Sequence, residues 1–464
     1  MMGFEFANYC NSYLQKHGLA TRTISKIDSN PAKSKHLETA TTKLFDQEID
    51  FCNLRTEIYT EDSRIPSEVT FGTPSEDAYR RDTTINSLFY NINTETVEDF
   101  TNQGLSDLSL GLIRTPLAPY ETFRDDPLRV LRCIRFASRF GFDMVPELLE
   151  AAKDESIKDA LVNKISKERI GTEIDKMLSG PSPLLSLQLI HQCGLYSTVF
   201  EAPTILSSPP DDASQAVRAA GVVQWLLLDQ CNLSSLSPNT ISTTSSSSSS
   251  SVRNTATKDE KRILYLGATL LPYLSVMSEF KKRPIPAVQL VLRDSLKSTN
   301  HDVNTISTLY RGIPLLQQAV KQLDEQQTIS RSDLGMMIRD IGSLWQTCLK
   351  LSLVHDLLST LTNVTWDRSE TLDANLNASA TVIVDRYQRL LTLAYQYNIQ
   401  DAHSWKPMMD GKKTTQLLGL KPGPVVQQLL KVMMIWQLEH PEGTLDECAT
   451  MMKSYWDEKK QQQS

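Results

Sequence analysis

The chain changes character at Asp126-Pro127, and that change limits the folds open to it more than any other feature. An aspartate can cap free backbone N–H groups, and a proline lacks the N–H that would go unbonded at the first helical position. The pair therefore predicts a helix start. From about Thr122 onward the apolar pattern is helical almost throughout, whereas the first hundred residues read as mixed α/β. There a helix-like opening precedes two β-prone runs, Leu37 to Phe45 and Glu48 to Leu54, which flank Asp46-Gln47 in the pattern of a hairpin. The expected plan is an α/β head followed by a long helical body, with two to four structural units in 464 residues.

Between Leu233 and Lys258 the composition collapses to Ser, Thr and Asn, including the run Ser245 to Ser251. Such a segment buries too little apolar surface to offset its ordering entropy, so a disordered insert is expected. The helical pattern resumes at Glu260 and is broken at Arg283 to Pro286 and at Lys421 to Pro424. No run of eighteen apolar residues occurs, which predicts no membrane-spanning helix. The opening residues have the pattern of neither a secretory signal nor a transit peptide, so an intracellular protein is expected. Seven scattered cysteines without a CxxC spacing read as reduced, mostly buried thiols. A net charge of −7 gives no overall basic field, so nucleic-acid binding would need local patches. Lys281, Lys282 and Arg283 form one such cluster, readable as an RNA contact or as a solvated turn.

Arg129, Arg132 and Arg135 recur every three residues, which places three guanidinium groups near one face of the helix while Leu131 and Ile134 turn toward a core. Guanidinium forks suit phosphate oxygens and base edges. Asp126 and Arg129 are expected to project from the same first turn, an acceptor beside a donor. Cytosine and adenine both offer an exocyclic amine next to a ring-nitrogen acceptor, and uracil and guanine present the reverse order. Such a pair could therefore accept C and A and reject U and G, since a mismatch leaves buried polar groups unsatisfied. On spacing alone, Asp126 as a plain helix cap and the arginines as a solvated face remain open.

Upstream lies Arg80-Arg81-Asp82-Thr83-Thr84-Ile85-Asn86-Ser87-Leu88-Phe89, preceded by Thr70-Phe71-Gly72-Thr73-Pro74. This segment, followed by Asp125-Asp126-Pro127-Leu128-Arg129-Val130-Leu131-Arg132, resembles the class II tRNA nucleotidyltransferases, the eukaryotic CCA-adding enzymes in particular. The likeness continues through Gly104 to Leu108, Ile113 to Leu117, Ile165 to Arg169 with Glu173 and Lys176, and the tail segments Lys421 to Pro424 and Trp436 to Leu438.

The resemblance implies a polymerase-beta-like nucleotidyltransferase head with a mixed sheet, followed by a mostly α-helical neck, body and tail. It divides the chain into a partial head at 1–95, a neck with the nucleotide-selecting helix at 96–180, a body at 181–232 and 259–400 around the insert 233–258, and a tRNA-contacting tail at 401–464. It implies that Asp126 and Arg129 are the protein template for the incoming base, with Arg132 and Arg135 in support or on the phosphates. Arg80, Arg81, Asp82 and Asn86 would hold triphosphate and ribose. Arg169 and Glu173 match a supporting motif; four apart on a helix, they could equally be a structural salt bridge.

The implied reaction adds C, C and A to tRNA 3′ ends from CTP and ATP, with Mg²⁺ held by carboxylates. Asp50 matches the third catalytic carboxylate, while no Gly-Gly turn or DxD pair precedes it in these residues. Glu48 and Asp50 as the metal pair itself is a rival reading, since alternate residues share a strand face. An impaired enzyme is expected on this count, with a non-catalytic RNA- or nucleotide-binding form and a related poly(A) polymerase as alternatives. The expected place of work is the cytoplasm, with nucleus or mitochondrion open, and the oligomeric state is undetermined.

Overall fold

The computed structural model describes residues 1–27, 38–60, 63–206, 213–228, 256–326, 328–360 and 378–463. The Ser-rich insert expected at 233–258 lies almost wholly outside the described residues, as does Cys231. The chain divides into two compact units, Met1–Glu201 with Asp294–Lys297, and Ala202–Arg293 with Ser298–Ser464.

The first unit opens with helix α1 (Gly3–Lys16), followed by strands β1 (Ile24–Ile27), β2 (Thr39–Leu44) and β3 (Gln47–Cys52) in one antiparallel sheet of order β1-β2-β3. Phe6 of α1 meets Phe51 of β3 edge-on at 5.1 Å between ring centroids. The hairpin expected here forms, but its turn is Phe45-Asp46 rather than Asp46-Gln47. Both turn residues take positive φ, 49° and 61°, and Gln47 pairs with Leu44. Two consecutive left-handed residues match the right-handed twist of the strands, and that geometry fixed the register.

A second hairpin, β4 (Arg55–Thr60) and β5 (Ser63–Phe71), leads into α2 (Pro74–Tyr79). A reciprocal capping box between Thr73 and Glu76 starts this helix. The chain continues through a short 3₁₀ turn at Thr84–Ser87, β6 (Phe89–Asn91), β7 (Thr96–Glu98), α3 (Gly104–Leu110), β8 (Leu112–Ile113) and α4 (Pro119–Asp125). Next come α5 (Leu128–Phe140), β9 (Asp143–Met144), α6 (Pro146–Lys153), α7 (Glu155–Lys164), α8 (Lys167–Leu178) and α9 (Pro183–Gln192). β8 and β9 pair in parallel, while the other strand pairs are antiparallel, so both pairing directions occur among the described strands of the first unit, in separate sheets.

α5 is the spine of this unit. Val130, Leu131, Cys133, Ile134 and Ala137 are fully buried, and each enclosed Leu or Ile contributes about 2 kcal/mol. Gly141 ends the helix at φ 71°, a conformation a side chain resists. α8 packs on α5, and its Gly171 has no room to vary: a Cβ there would sit 1.8 Å from the carbonyl oxygen of Leu296.

The second unit is helical, as its pattern predicts, with Ser214–Leu227, Lys258–Leu270, Asn300–Gln326, Arg331–Ile341, Trp345–Leu358 and Ala378–Gln396 as its longer body helices. Its tail helices, Gly411–Leu418, Pro424–Glu439 and Leu445–Gln463, enclose a small core of Leu429, Met433, Cys448 and Met452. The break expected at Lys421 to Pro424 falls between two of these helices. The break at Arg283 to Pro286 is instead a strand, β11, paired with β10 (Met277–Phe280). The outer edge of β10 is bridged by Ile205, which leaves β11 as the edge strand, where prolines without N–H groups are tolerated, so the punctuation there falls within a hairpin.

No described helix is long and apolar enough to cross a membrane. Of the six described cysteines, all free, Cys133, Cys193, Cys348 and Cys448 are buried.

Candidate nucleotide-binding site

Asp77 and Asp82 organise the site, one on each side of the Arg-Arg pair. Asp77 Oδ1 accepts from Arg80 Nε at 2.8 Å, and its Oδ2 accepts from Arg81 Nη2 at 2.7 Å. The backbone N–H of Arg55 adds a third bond to Oδ1. Burial alone would raise the Asp77 pKa, but the two guanidiniums outweigh it and hold the group below the ordinary carboxylate range. Sequence reading passed over Asp77, although its spacing of three and four from Arg80 and Arg81 on a helix was the available signal. Arg80 also meets Glu57, and Arg81 lies over the Phe89 ring at 4.7 Å.

Asp82 is 4% exposed. Its Oδ1 accepts from the Asn86 side chain at 2.9 Å and its Oδ2 from Arg132 Nε at 2.5 Å. Burial pulls the Arg132 pKa down, and Asp82 more than restores it, so the guanidinium stays charged. Asn86 itself is exposed, and Arg81 Nη1 donates to its backbone carbonyl at 2.8 Å. Asp77 and Asp82 thus join Arg80, Arg81, Asn86 and Arg132 into one continuous network.

The arginine row of α5 is not a solvated face. Arg129 is 7% exposed and donates to the carbonyls of Arg80 and Thr122, at 2.6 and 3.5 Å. Arg135 is also buried; it donates to Glu173 of α8 and lies over the Phe136 ring at 4.2 Å. Lys176 adds a longer contact to Glu173 at 3.3 Å.

One expectation holds and one needs correction. Asp126 lies between α4 and α5 in the extended conformation of a helix cap, φ −135° and ψ 97°, and its backbone carbonyl accepts from Arg129 N at 2.9 Å, which closes the first turn. Proline at 127 disfavours helical geometry in the residue before it, which sets the join there. Its Oδ1 accepts from Leu128 N at 3.2 Å, so the capping role is real, but its Oδ2 accepts from Arg169 Nη2 at 3.0 Å. Arg169 therefore does not pair with Glu173. Its partner is Asp126, and Glu173 belongs to Arg135, because α8 crosses α5 and offers each side chain a nearer opposite charge.

Thr83 Oγ1, Thr122 Oγ1 and Arg169 Nη1 are buried here without a hydrogen-bond partner. Asp126 retains further lone pairs on both oxygens and is part-exposed.

Asp50 stands apart from this network among the described residues. It is exposed on β3, and its Oδ1 accepts from Thr41 Oγ1 at 2.6 Å across the hairpin. Glu48 lies on the same strand face, opposite Lys43.

The family described as "Poly A polymerase head domain" matches residues 1–114, and that described as "Probable RNA and SrmB- binding site of polymerase A" matches 141–206. The chain is 35% identical to the mitochondrial CCA tRNA nucleotidyltransferase of Candida glabrata, over 98% of this chain and 85% of that protein. It is 37% identical to the mitochondrial CCA tRNA nucleotidyltransferase of Saccharomyces cerevisiae, over 98% and 83% of the two chains. A solved CCA-adding enzyme in complex with CTP shares the fold at a TM-score of 0.59 and 19% identity, covering 98% of this chain and 85% of its own.

Proposed function

This chain belongs to the CCA tRNA nucleotidyltransferase family, and we infer that its reaction is the addition of C, C and A to the 3′ end of tRNA from CTP and ATP. The observation that carries the activity is identity of 35% and 37% to two such enzymes across nearly the whole chain. A poly(A) polymerase is not favoured, since the two yeast relatives matched over nearly the whole chain are CCA enzymes, whereas the polymerase descriptions match only residues 1–114 and 141–206. The mitochondrial names of the two yeast relatives support an intracellular place of work.

In this reading Asp126 and Arg129 select the base. Supporting it is the way Asp126 is held: the Leu128 N–H and the Arg169 guanidinium fix the carboxylate plane before a nucleotide arrives. Arg129 is pinned by two carbonyls nearby. Selection needs such rigidity, because a carboxylate free to rotate could turn away from a uracil or guanine edge instead of clashing with it. Arg81 and Arg132 are the cations for the triphosphate, and Asp82 with Asn86 meets the ribose. Asp77 and Glu173 act as positioning residues that keep guanidiniums in place.

Transfer of this kind draws on divalent metal ions for electrostatic stabilisation. The described residues do not fit that demand by themselves: no three His, Cys, Asp or Glu side chains among them are grouped to hold an ion. Asp50 lies on a strand whose one partner among the described residues is β2, with one oxygen engaged by Thr41. On this ground we infer that transfer by this chain is weak while nucleotide binding persists.

The test is extension of a tRNA ending at its discriminator base by the 464-residue chain with labelled CTP, ATP and Mg²⁺. Weak or absent extension alongside intact CTP binding is the expected result. Efficient sequential C, C, A addition, abolished by Asp50→Ala, would overturn the impairment and support a complete site built around Asp50.

A further inference from the structure

We propose that the tip of the β10–β11 hairpin, Lys281-Lys282-Arg283, is a phosphate-binding contact for the backbone of the RNA substrate, an inference that rests on the tRNA reading above. The hairpin is closed by a two-residue turn in which Lys281 and Lys282 take φ of 51° and 62°. Turns with both central residues left-handed select Asn-Gly, Asp-Gly or Gly-Gly. Lysine pays the steric cost of its Cβ and has no short polar side chain to recover it locally. A sequence shaped for hairpin stability alone would not keep two lysines there.

Nothing in the packing of the tip asks for them. Lys281, Lys282 and Arg283 are all exposed, and none of the three is joined in an ion pair among the described residues. The hairpin carries one acid, Glu279, on β10 opposite Pro284. The ring of Phe280 is flanked by the Arg293 guanidinium at 4.1 Å and the Lys281 ammonium at 5.2 Å, which adds a fourth cation at the base of the turn. In a chain of net charge −7 this is a local concentration of positive charge.

The chemistry favours nucleic acid over a protein strand. Pro284 and Pro286 leave β11 short of donors, so the hairpin is a poor template for a peptide adding along that edge. Lysine ammoniums on flexible stems are point charges without a fixed fork, suited to phosphate oxygens irrespective of base. The contact therefore contributes affinity and salt dependence and no sequence selection.

The experiment replaces the tip by the pair that the turn itself prefers, Lys281→Asn with Lys282→Gly. The variant and the wild type are compared for thermal midpoint, CTP binding, and affinity for tRNA lacking its CCA end over a range of salt concentrations. The expected result is a midpoint equal to or above wild type and unchanged CTP binding. Affinity for tRNA should fall about tenfold, and the slope of log affinity against log salt should flatten by about 1 to 2. The charge-retaining variant Lys281→Arg with Lys282→Arg should bind as wild type does. An unchanged affinity and slope in the Asn-Gly variant would overturn the proposal, as would a loss of binding in the Arg-Arg variant. If wild type itself fails to bind tRNA, both this contact and the tRNA reading fall; if only the variants contradict expectation, the contact alone falls.

Discussion

Arg132 Nε donates to Asp82 Oδ2 at 2.5 Å, a bond between residues fifty positions apart that fastens the Arg-Arg-Asp segment to the arginine-bearing helix. Because Asp82 also accepts from Asn86, one carboxylate sets the placement of both groups assigned to the nucleotide's phosphate and ribose. A double-mutant cycle with Asp82→Asn and Arg132→Gln should give a coupling of about 1 to 3 kcal/mol in urea unfolding. Each single variant should weaken CTP binding. Strict additivity would mean the pair is not formed in solution.

Glu173 is buried at 3% exposure and answers the charge of Arg135. Glu173→Ala removes the anion and leaves an enclosed guanidinium, a loss expected to cost about 3 kcal/mol of folding stability. Glu173→Gln keeps the shape and a hydrogen bond and should cost less. Chemical unfolding of the three proteins checks the order, and equal midpoints would contradict it.

Asp77 makes the stability depend on acid in a known direction. Burial opposes its ionisation, but Arg81 and Arg80 lower its folded pKa below the unfolded value. The stability it contributes is therefore fully present above about pH 4 and is lost as pH falls through the lower folded value. Asp77→Asn should unfold at lower urea than wild type at pH 7, and the gap should shrink on acidification below about pH 4. A gap that is constant with pH would remove Asp77 from this role.

The thiols should react in order of exposure. Burial pushes the Cys133 thiol well up, with Asp82 adding to the effect, and raises Cys193 to about 11. Cys52 is exposed and Cys10 half-buried. Brief alkylation of the native protein near pH 8, read by peptide mass, should label Cys52 and Cys10 and spare Cys133 and Cys193. Native-state labelling of Cys133 would show that α5 is not packed as described.

Helix periodicity and the Asp126-Pro127 break made the head-then-helices plan legible, because burial of an apolar face leaves a regular trace in the order of residues. The three arginines of α5 were legible as a group for the same reason. What they touch was not: Arg129 against a backbone carbonyl 49 positions away and Arg135 against Glu173 are products of how α5 meets its neighbours. Two side chains four apart on a helix, Arg169 and Glu173, gave the wrong pair because tertiary partners lay closer than the intrahelical one. Asp126 was legible as the cap before Pro127, whereas its bond to Arg169 depends on how α8 crosses α5 and was not. Asp77 did not stand out because an acid three and four residues before two arginines is an ordinary helix-surface pattern, and only its burial marks it as the anion that orients them.

In the proposed reading Asp126, held by Arg169, reads together with Arg129 the edge shared by cytosine and adenine. Dissociation constants for CTP, ATP, UTP and GTP on the 464-residue chain and its Asp126→Ala variant test it directly and do not depend on transfer. Wild type should prefer CTP and ATP over UTP and GTP by about a hundredfold or more, and Asp126→Ala should narrow this gap while the protein stays folded. Equal affinity for all four in wild type, or a preference untouched by the substitution, would contradict it.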